Sequence, residues 1–233
     1  ISHLLYAGRI GRLEVRGSYF HHGRIGHLLK SRARVSVIEY SRLTDELEGQ
    51  ASYELDFPDG GQVFLVGNLV RQSVGTENRR MIAFGAEGLQ HDDNVLALAS
   101  NTLVDDVREG GEFVTVWSPE RVQVVAVNNL LVGGCAGSLC PDSVFRRNLP
   151  EMEAETAEVE GEGNVQVVGM ETRAALEARG FRPVAGEAWA VKLAAPVMFH
   201  GRTLVPTREH ASPVGTRPLP VTEQITVPGA FQP

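Results

Sequence analysis

Short segments of alternating apolar and polar residues recur along the first 132 residues of the chain, and each passes through a Ser or an Asn. Apolar residues usually stand three and five positions before this anchor residue, and another stands two positions after it. Such alternation is the period of a strand with one buried face. The anchors lie 23, 27, 33 and 28 residues apart, at Ser18, Ser41, Asn68, Asn101 and Asn129.

A second repetition is literal, because His3-Leu4-Leu5 returns 24 residues later as His27-Leu28-Leu29. A repeat of this length, with two or three short strands and no helix, cannot bury its own apolar face. Stacking the coils about 4.8 Å apart solves this, since each strand then pairs in parallel with its copy one coil away. We therefore expect an all-β parallel β-helix, a solenoid whose anchors adopt a left-handed conformation and bond the anchors above and below.

The repeat fades after residue 134. Residues 164–168 read as one more strand, and residues 170–179 as a short helix that ends at Gly180. The remainder is Pro-rich and extended. We expect β-helix coils over residues 1–134, lacking some N-terminal coils, and over residues 135–233 a last coil followed by the helix and an extended arm that cap the stack.

Composition narrows the classes of function. The chain has 29 acidic and 22 basic residues, and its net charge of −7 disfavours a general nucleic-acid binder, which needs a positive field. The sequence contains no run of 18 apolar residues, so no membrane span is predicted, and no leader peptide is visible. Because the chain opens directly on strand-like sequence, we expect a processed product or part of a longer polypeptide. Cys135 and Cys140 could form a local disulfide or remain reduced thiols.

Residues 10–132 resemble the bacterial right-handed parallel β-helix proteins of the pectate-lyase-like superfamily. The likeness is closest at residues 19–33 and 51–56, and it extends to residues 204–210 and 229–231, which look like the closing arm of those proteins. Many of these proteins are exported, so the resemblance implies a secreted or periplasmic location. It also implies a ligand-binding groove on the outer face of one parallel sheet.

The outward side chains of neighbouring coils are therefore the candidates for chemistry. Residues 28, 30 and 32 share one face of their strand. In the next coil we expect Tyr53, Leu55 and Phe57 to face the core. The carboxylates between them, Glu54 and Asp56, should then project outward about 7 Å apart. Either register brings Lys30 one coil from a carboxylate. The predicted catalytic residues are Lys30, Arg32, Glu54 and Asp56.

Two chemistries suit these residues. The first is β-elimination on a uronate-containing polysaccharide; Lys30-Ser31 resembles the Lys-Ser of chondroitin and alginate lyases, although the Arg expected about one coil later is absent. The second is hydrolysis by paired carboxylates at a separation that suits inversion. Gly26-His27 resembles the Gly-His of polygalacturonases, whose Asp-Asp and Arg-x-Lys signatures are missing here.

Other side chains could contact a substrate or an ion. The predicted substrate-binding residues are His27, Tyr53 and Trp117. The alternative for Tyr53 and Trp117 is a position in the core or at the rim. No metal-binding residue is assigned. Calcium is the one cofactor the sequence allows, in the acidic loop that contains Glu87, His91, Asp92 and Asp93.

The leading hypothesis is a secreted β-helix that acts on an acidic polysaccharide as a lyase or hydrolase. One alternative is a non-catalytic solenoid that binds a glycan or a surface. Another is a structural solenoid whose first coil is covered by a preceding segment or a partner chain. The charges at Lys30, Glu54 and Asp56 could also be no more than an ion-pair ladder on a solvated face.

Overall fold

A computed structural model describes residues 2–134, 156–158, 161–167, 169–184, 193–219 and 226–233. The described strands form three long sheets, in which the neighbours pair in parallel apart from one antiparallel edge strand. The first sheet contains β1 (Leu5–Ala7), β4 (Leu29–Ser31), β7 (Leu55–Phe57), β10 (Arg80–Phe84) and β13 (Glu112–Val116). The second contains β2 (Arg12–Arg16), β5 (Val35–Glu39), β8 (Gln62–Val66), β11 (Val95–Ala99) and β14 (Gln123–Val127).

The third sheet extends one coil further than the other two. It contains β3 (Tyr19–Phe20), β6 (Arg42–Thr44), β9 (Leu69–Gln72), β12 (Thr102–Asp105), β15 (Leu130–Val132), β17 (Val165–Val167) and the antiparallel edge strand β16 (Thr156–Glu158). The remaining elements are a 3-10 turn (Pro119–Arg121), helix α1 (Met170–Ala178), and two hairpins made by β18 (Met198–Phe199) with β19 (Arg202–Thr203) and by β20 (Arg208–His210) with β21 (Thr216–Pro218).

The chain visits the three sheets in turn, so one strand of each makes a coil and every strand pairs with its copy in the next coil. Leu29 of β4 is level with Leu55 of β7, and Leu55 with Ile82 of β10. These equivalent residues are fully buried and stack in one core. Burial of each such side chain contributes roughly 1.5–3 kcal/mol. The expectation of a mostly β chain with long parallel sheets is confirmed.

The anchors form a continuous ladder of side-chain amides and hydroxyls at the bend between the second and third sheets. The backbone N–H of Asn68 donates to Asn101 Oδ1 at 3.0 Å, and the N–H of Asn101 donates to Asn129 Oδ1 at 2.9 Å. The ladder runs from Ser18 through Ser41 and continues to Asn164, which supplies a sixth anchor. Buried backbone groups at the bend are thereby satisfied, as expected.

The left-handed conformation expected at the anchors is found one position earlier, so that expectation is wrong. The left-handed residue is the one before each anchor, at Gly17, Tyr40, Gly67, Ser100, Asn128 and Gly163, with φ between 52° and 73°. This residue makes the bend, so the anchor itself can stay extended and turn its side chain toward the neighbouring coil. Position 67 favours glycine because an added Cβ would lie 2.8 Å from the ring of Tyr40.

The described C-terminal segments cover the outer faces of two sheets. Leu176 of α1 packs in a buried cluster with Val104 and Leu130 of the third sheet. Segment 193–219 crosses the second sheet: the backbone of Ala194 exchanges two hydrogen bonds with the side chain of Asn128, and Gly215 donates to the carbonyl of Gly17. These contacts lie along the sides of the stack, so a cap over its end stays a prediction, as does the division at residue 134.

The first sheet has a different outer surface. Within the described ranges, the helix and the arm pack on the second and third sheets, whereas the outward side chains of the first sheet are mostly polar or charged, with Ala83 as an apolar exception. Cys135 and Cys140 lie outside the described residues. No helix in the described part of the chain is long and apolar enough to cross a membrane.

The ladder yields a prediction about stability. Asn101→Ala removes the acceptor of two hydrogen bonds from Asn68 and the donor to Leu65, and it leaves buried polar groups unpaired. We expect the free energy of unfolding in urea to fall by about 2–4 kcal/mol. The matched control is Ser18→Ala at the half-exposed end of the ladder, which we expect to cost under about 1 kcal/mol. Equal losses for the two variants would contradict a cooperative ladder.

Candidate functional site

The outer face of the first sheet aligns polar side chains from successive coils. The strand register places one row at the middle of the strands, made by Tyr6, Lys30, Asp56, Ala83 and Thr115. A second row stands at the start of the same strands, made by His3, His27, Tyr53, Arg80 and Glu112. The candidate site lies where these rows cross the first three coils.

Lys30 is the centre of a charged cluster. Its Nζ lies 2.9 Å from Asp56 Oδ2 and 2.7 Å from Glu87 Oε1, so two carboxylates share one ammonium group. Arg32 bonds the other oxygen of Glu87, Asp59 and, at 3.1 Å, the hydroxyl of Tyr6. The predicted pairing of Lys30 with a carboxylate one coil away is confirmed in its geometry, and the partner is Asp56.

This setting keeps Lys30 protonated. Burial favours the neutral amine, but the hydrogen bonds that Lys30 donates to Glu87 and Asp56 outweigh it and raise the pKa of Lys30. A general base must give up its proton near the working pH. Lys30 in this arrangement is therefore suited to holding anions and unsuited to abstracting a proton from a sugar.

The two carboxyl groups on Lys30 are driven in opposite directions. Burial raises the pKa of Asp56, against the opposing pull of Lys30. Hydrogen bonds from Lys30 and Arg32 lower the pKa of Glu87 to about 2. Neighbouring carboxyl groups whose pKa values are pushed in opposite directions are typical of acid and base pairs in active sites.

Glu87 reaches the cluster from the loop after β10, and the neighbouring coil holds this loop in place. Its backbone N–H donates to the carbonyl of Pro58 at 3.2 Å, and Gln90 donates to the carbonyl of Asp59 at 2.8 Å. Leu89 packs against the core. The carboxylate is thus presented by a loop that is tied to the stack at several points.

Aromatic rings continue the site toward the first coil. The rings of His3 and His27 are stacked with centroids 4.5 Å apart, and those of His27 and Tyr53 are 4.8 Å apart. Nδ1 of His27 accepts the backbone N–H of Tyr53, so the neutral ring carries its proton on Nε2, which lies 3.3 Å from Asp56 Oδ2. Burial lowers the pKa of His27 to about 4, with His3 and Lys30 adding to the effect. His27 is therefore neutral near pH 7.

Glu54 does not belong to this surface, and its expected outward position is wrong. It directly precedes β7 at the place held by Leu28 in the previous coil and Met81 in the next, and all three are fully buried. Neither carboxylate oxygen has a hydrogen-bond partner among the described residues. The strand period fails here because the backbone turns at the start of the strand, so these side chains point inward.

Other expectations need adjustment. Tyr53 is half-buried against His27, so its expected core position is wrong, and Leu28 lies in the core rather than beside Lys30. Arg32 lies in the cluster, where it bonds Glu87 and Asp59. Trp117 lies on the same sheet under the guanidinium of Arg80, but three coils from Lys30, or about 14 Å along the stack. The structure brings Lys30, Arg32, Asp56, His27 and Tyr53 together and leaves out Glu54 and Trp117.

Side chains of the acidic loop make ion pairs and hydrogen bonds with neighbouring residues. Both oxygens of Glu87 bond cations, while Asp93 bonds Gln62 and lies 3.7 Å from His200. In the portion of the chain that the structure describes, no three His, Cys, Asp or Glu side chains converge as metal ligands.

Sequence reasoning missed four members of the cluster. Asp59, Tyr6 and His3 were not assigned to the site, and Glu87 was assigned to a calcium loop. The His-Leu-Leu repeat could have located His3, because it sets His3 level with His27. Glu87 and Asp59 lie in loops of unequal length, where no repeat position announces which side chain reaches the sheet.

Comparison with protein-family models, curated proteins and solved structures finds no match for this chain.

Glu54 generates a prediction about pH. Burial raises its pKa well above the ordinary value for glutamate, and the buried carboxylates of Asp45 and Asp105 add to the effect. Above the unfolded pKa of about 4.3 the native state holds a proton that the unfolded chain has lost, so rising pH weakens folding. We expect Glu54→Met to raise the free energy of unfolding by about 1–3 kcal/mol at pH 8 and by less at pH 4.5.

Urea unfolding across this pH range measures the difference. The matched control is Glu120→Met on the exposed 3-10 turn, which should leave the pH dependence unchanged. A stabilisation by Glu54→Met that is the same at every pH would contradict a buried, protonated carboxyl group.

Proposed function

We propose that this protein is a right-handed parallel β-helix of the pectate-lyase-like kind, secreted or periplasmic, that hydrolyses an acidic polysaccharide on the outer face of its first sheet. The right hand follows from the strong preference of parallel crossover connections. The parallel coils and the C-terminal segments along their sides support the kinship. Hydrolysis is the preferred form of the carbohydrate-active hypothesis, with Lys30, Arg32 and Asp56 retained as its residues and Glu87 in place of Glu54.

The observation that carries this proposal is the pairing of Asp56 and Glu87 on Lys30. Both carboxylates lie within 3 Å of one nitrogen, with pKa values shifted in opposite directions. The Asp56 and Glu87 oxygens that bond Lys30 can be no farther apart than the sum of their two distances to Nζ. This sum is below the separation of about 6.5–9.5 Å between the carboxyl groups of inverting glycosidases. The closer spacing suits a retaining mechanism.

In that mechanism Asp56 donates its proton to the oxygen of the leaving sugar as the glycosidic bond breaks. Glu87 attacks the anomeric carbon and forms a glycosyl ester. A water molecule, deprotonated by Asp56, then hydrolyses the ester and restores both groups. Lys30 and Arg32 hold Glu87 ionised and in place, and the rings of His27 and Tyr53 offer a surface for a sugar.

Elimination is the weaker form of the hypothesis. It needs a base near the sugar, and the raised pKa of Lys30 opposes that role. Arg32 already bonds Glu87, Asp59 and Tyr6.

A non-catalytic glycan-binding solenoid is the second candidate. It is favoured by the burial of Asp56, whose side chain is 2% exposed, and by the pairing of Lys30 and Arg32 with carboxylates. In this case the cluster would be a stable platform under the bound sugar. The structural alternative rests on the first coil, where Leu4 and Ile10 are about half exposed; cover from a preceding segment or partner chain stays a prediction.

Substitution of the two carboxyl groups tests hydrolysis. We expect Asp56→Asn and Glu87→Gln each to lower the release of reducing ends from an acidic polysaccharide by about 100-fold or more, because the first removes the acid and the second removes the nucleophile. The matched control is Glu120→Gln, an exposed carboxylate on the 3-10 turn. Release of products that absorb in the ultraviolet would instead indicate elimination. Binding without turnover by the wild-type protein would favour the second candidate.

The pH profile provides an independent prediction. Activity should fall as pH rises through the pKa of Asp56, because the acid must be protonated. Since Lys30 lowers the pKa of both carboxyl groups, Lys30→Met should shift both limbs of the kcat/KM profile to higher pH. An alkaline limb that stays in place in this variant would argue against Asp56 as the acid.

A further inference from the structure

A cavity of about 320 Å³ opens next to the charged cluster. Three arginines line it, Arg9, Arg32 and Arg34, together with Gln90 and His91. A second cavity of about 250 Å³ shares Arg34, Gln90 and His91 and continues to the acidic pair at residues 92 and 93. The two form one groove with a basic end, beside Arg32, and an acidic end.

The arginines at the basic end are not equally committed to other partners. Arg32 already bonds Glu87, Asp59 and Tyr6. Arg9 is held through its Nε by Asp59 Oδ2 at 2.9 Å, which leaves its terminal amino groups without a partner among the described residues. Arg34 is exposed, and its guanidinium makes no hydrogen bond or ion pair within the described part of the chain.

Charge and polarity at this end favour an anion. Arg9 and Arg32 bond the carboxylates of Asp59 and Glu87, whereas the guanidinium of Arg34 pairs with neither of them and adds a further positive charge. Asp59 is 1% exposed, so the group that positions Arg9 is itself part of the folded core. Nε2 of His91 is buried and has no partner among the described residues, so it offers one more polar contact.

We propose that the basic end of this groove binds the carboxylate or sulfate group of an acidic sugar, with Arg34 and the terminal amino groups of Arg9 as its main donors. Guanidinium groups bind such oxyanions with strong, charge-assisted hydrogen bonds. Arg32 belongs both to this cavity and to the cluster around Lys30, so the anion lies beside the proposed cleavage site. The inference rests on the proposed glycan-binding face and adds the feature that selects a charged sugar over a neutral one.

Calorimetric titration with defined oligosaccharides tests this subsite. The probes are a tetramer of galacturonic acid, its fully methyl-esterified form, and a sulfated tetrasaccharide. We expect the wild-type protein to bind a charged probe about tenfold or more tightly than the ester, and salt to reduce the difference. Arg34→Gln should remove this preference without changing affinity for the ester, and Arg9→Gln should reduce it. The carboxylated and sulfated probes identify which oxyanion fits.

The matched control is Arg121→Gln, which removes an exposed arginine from the 3-10 turn and should leave the preference intact. Equal affinity for charged and esterified probes, absence of binding to any probe, or an unchanged preference in Arg34→Gln would overturn the proposal. Failure of the proposed function looks different. Binding that depends on Arg34 without any turnover supports the subsite and defeats hydrolysis, whereas hydrolysis indifferent to both charge and Arg34 defeats the subsite alone.

Discussion

Hydrogen bonding between equivalent positions of successive coils is the interaction on which the rest of this molecule depends. Each strand of the three sheets pairs with its copy one coil away, and a shift of one residue would turn the buried row outward. The anchors oppose such a shift. The side chain of Asn101 accepts a hydrogen bond from the N–H of Asn68, and the N–H of Asn101 donates one to the side chain of Asn129. Both bonds can form only when the three residues are level. The same register sets which residues are level in the core and in the rows on the outer face.

The candidate site follows from the same register and from what covers the stack. Pairing of β4 with β7 sets Lys30 directly beside Asp56, while the C-terminal segments occupy the apolar outer faces of the second and third sheets. The first sheet keeps a polar outer face with aromatic rings. Loops that leave the stack can then add groups to that face, as the loop of Glu87 does, without disturbing the coils.

Two carboxyl groups in one strand region illustrate how strongly local geometry decides chemistry. Asp56 faces outward, where Lys30 partly offsets the cost of its burial. Glu54, two residues earlier, points into the core with no partner among the described residues, and burial raises its pKa well above the ordinary value for glutamate. The first can take part in surface chemistry, whereas the second weakens folding as pH rises. Strand alternation alone assigns both to the same face, because it takes no account of the bend before β7.

The amino-acid sequence by itself determined the repeat, the anchors at the bend and the pairing of Lys30 with a carboxylate, because these depend on strand period and coil spacing. It did not determine that Glu54 is buried, that Tyr53 stacks outside the core, or that Glu87 and Asp59 complete the cluster. Those positions depend on how bends turn and where unequal loops land, which is decided by packing between coils distant in sequence. Periodicity is a local property, whereas the charged cluster bonds pairs such as Lys30 and Glu87, 57 positions apart, that only the stacked coils bring together.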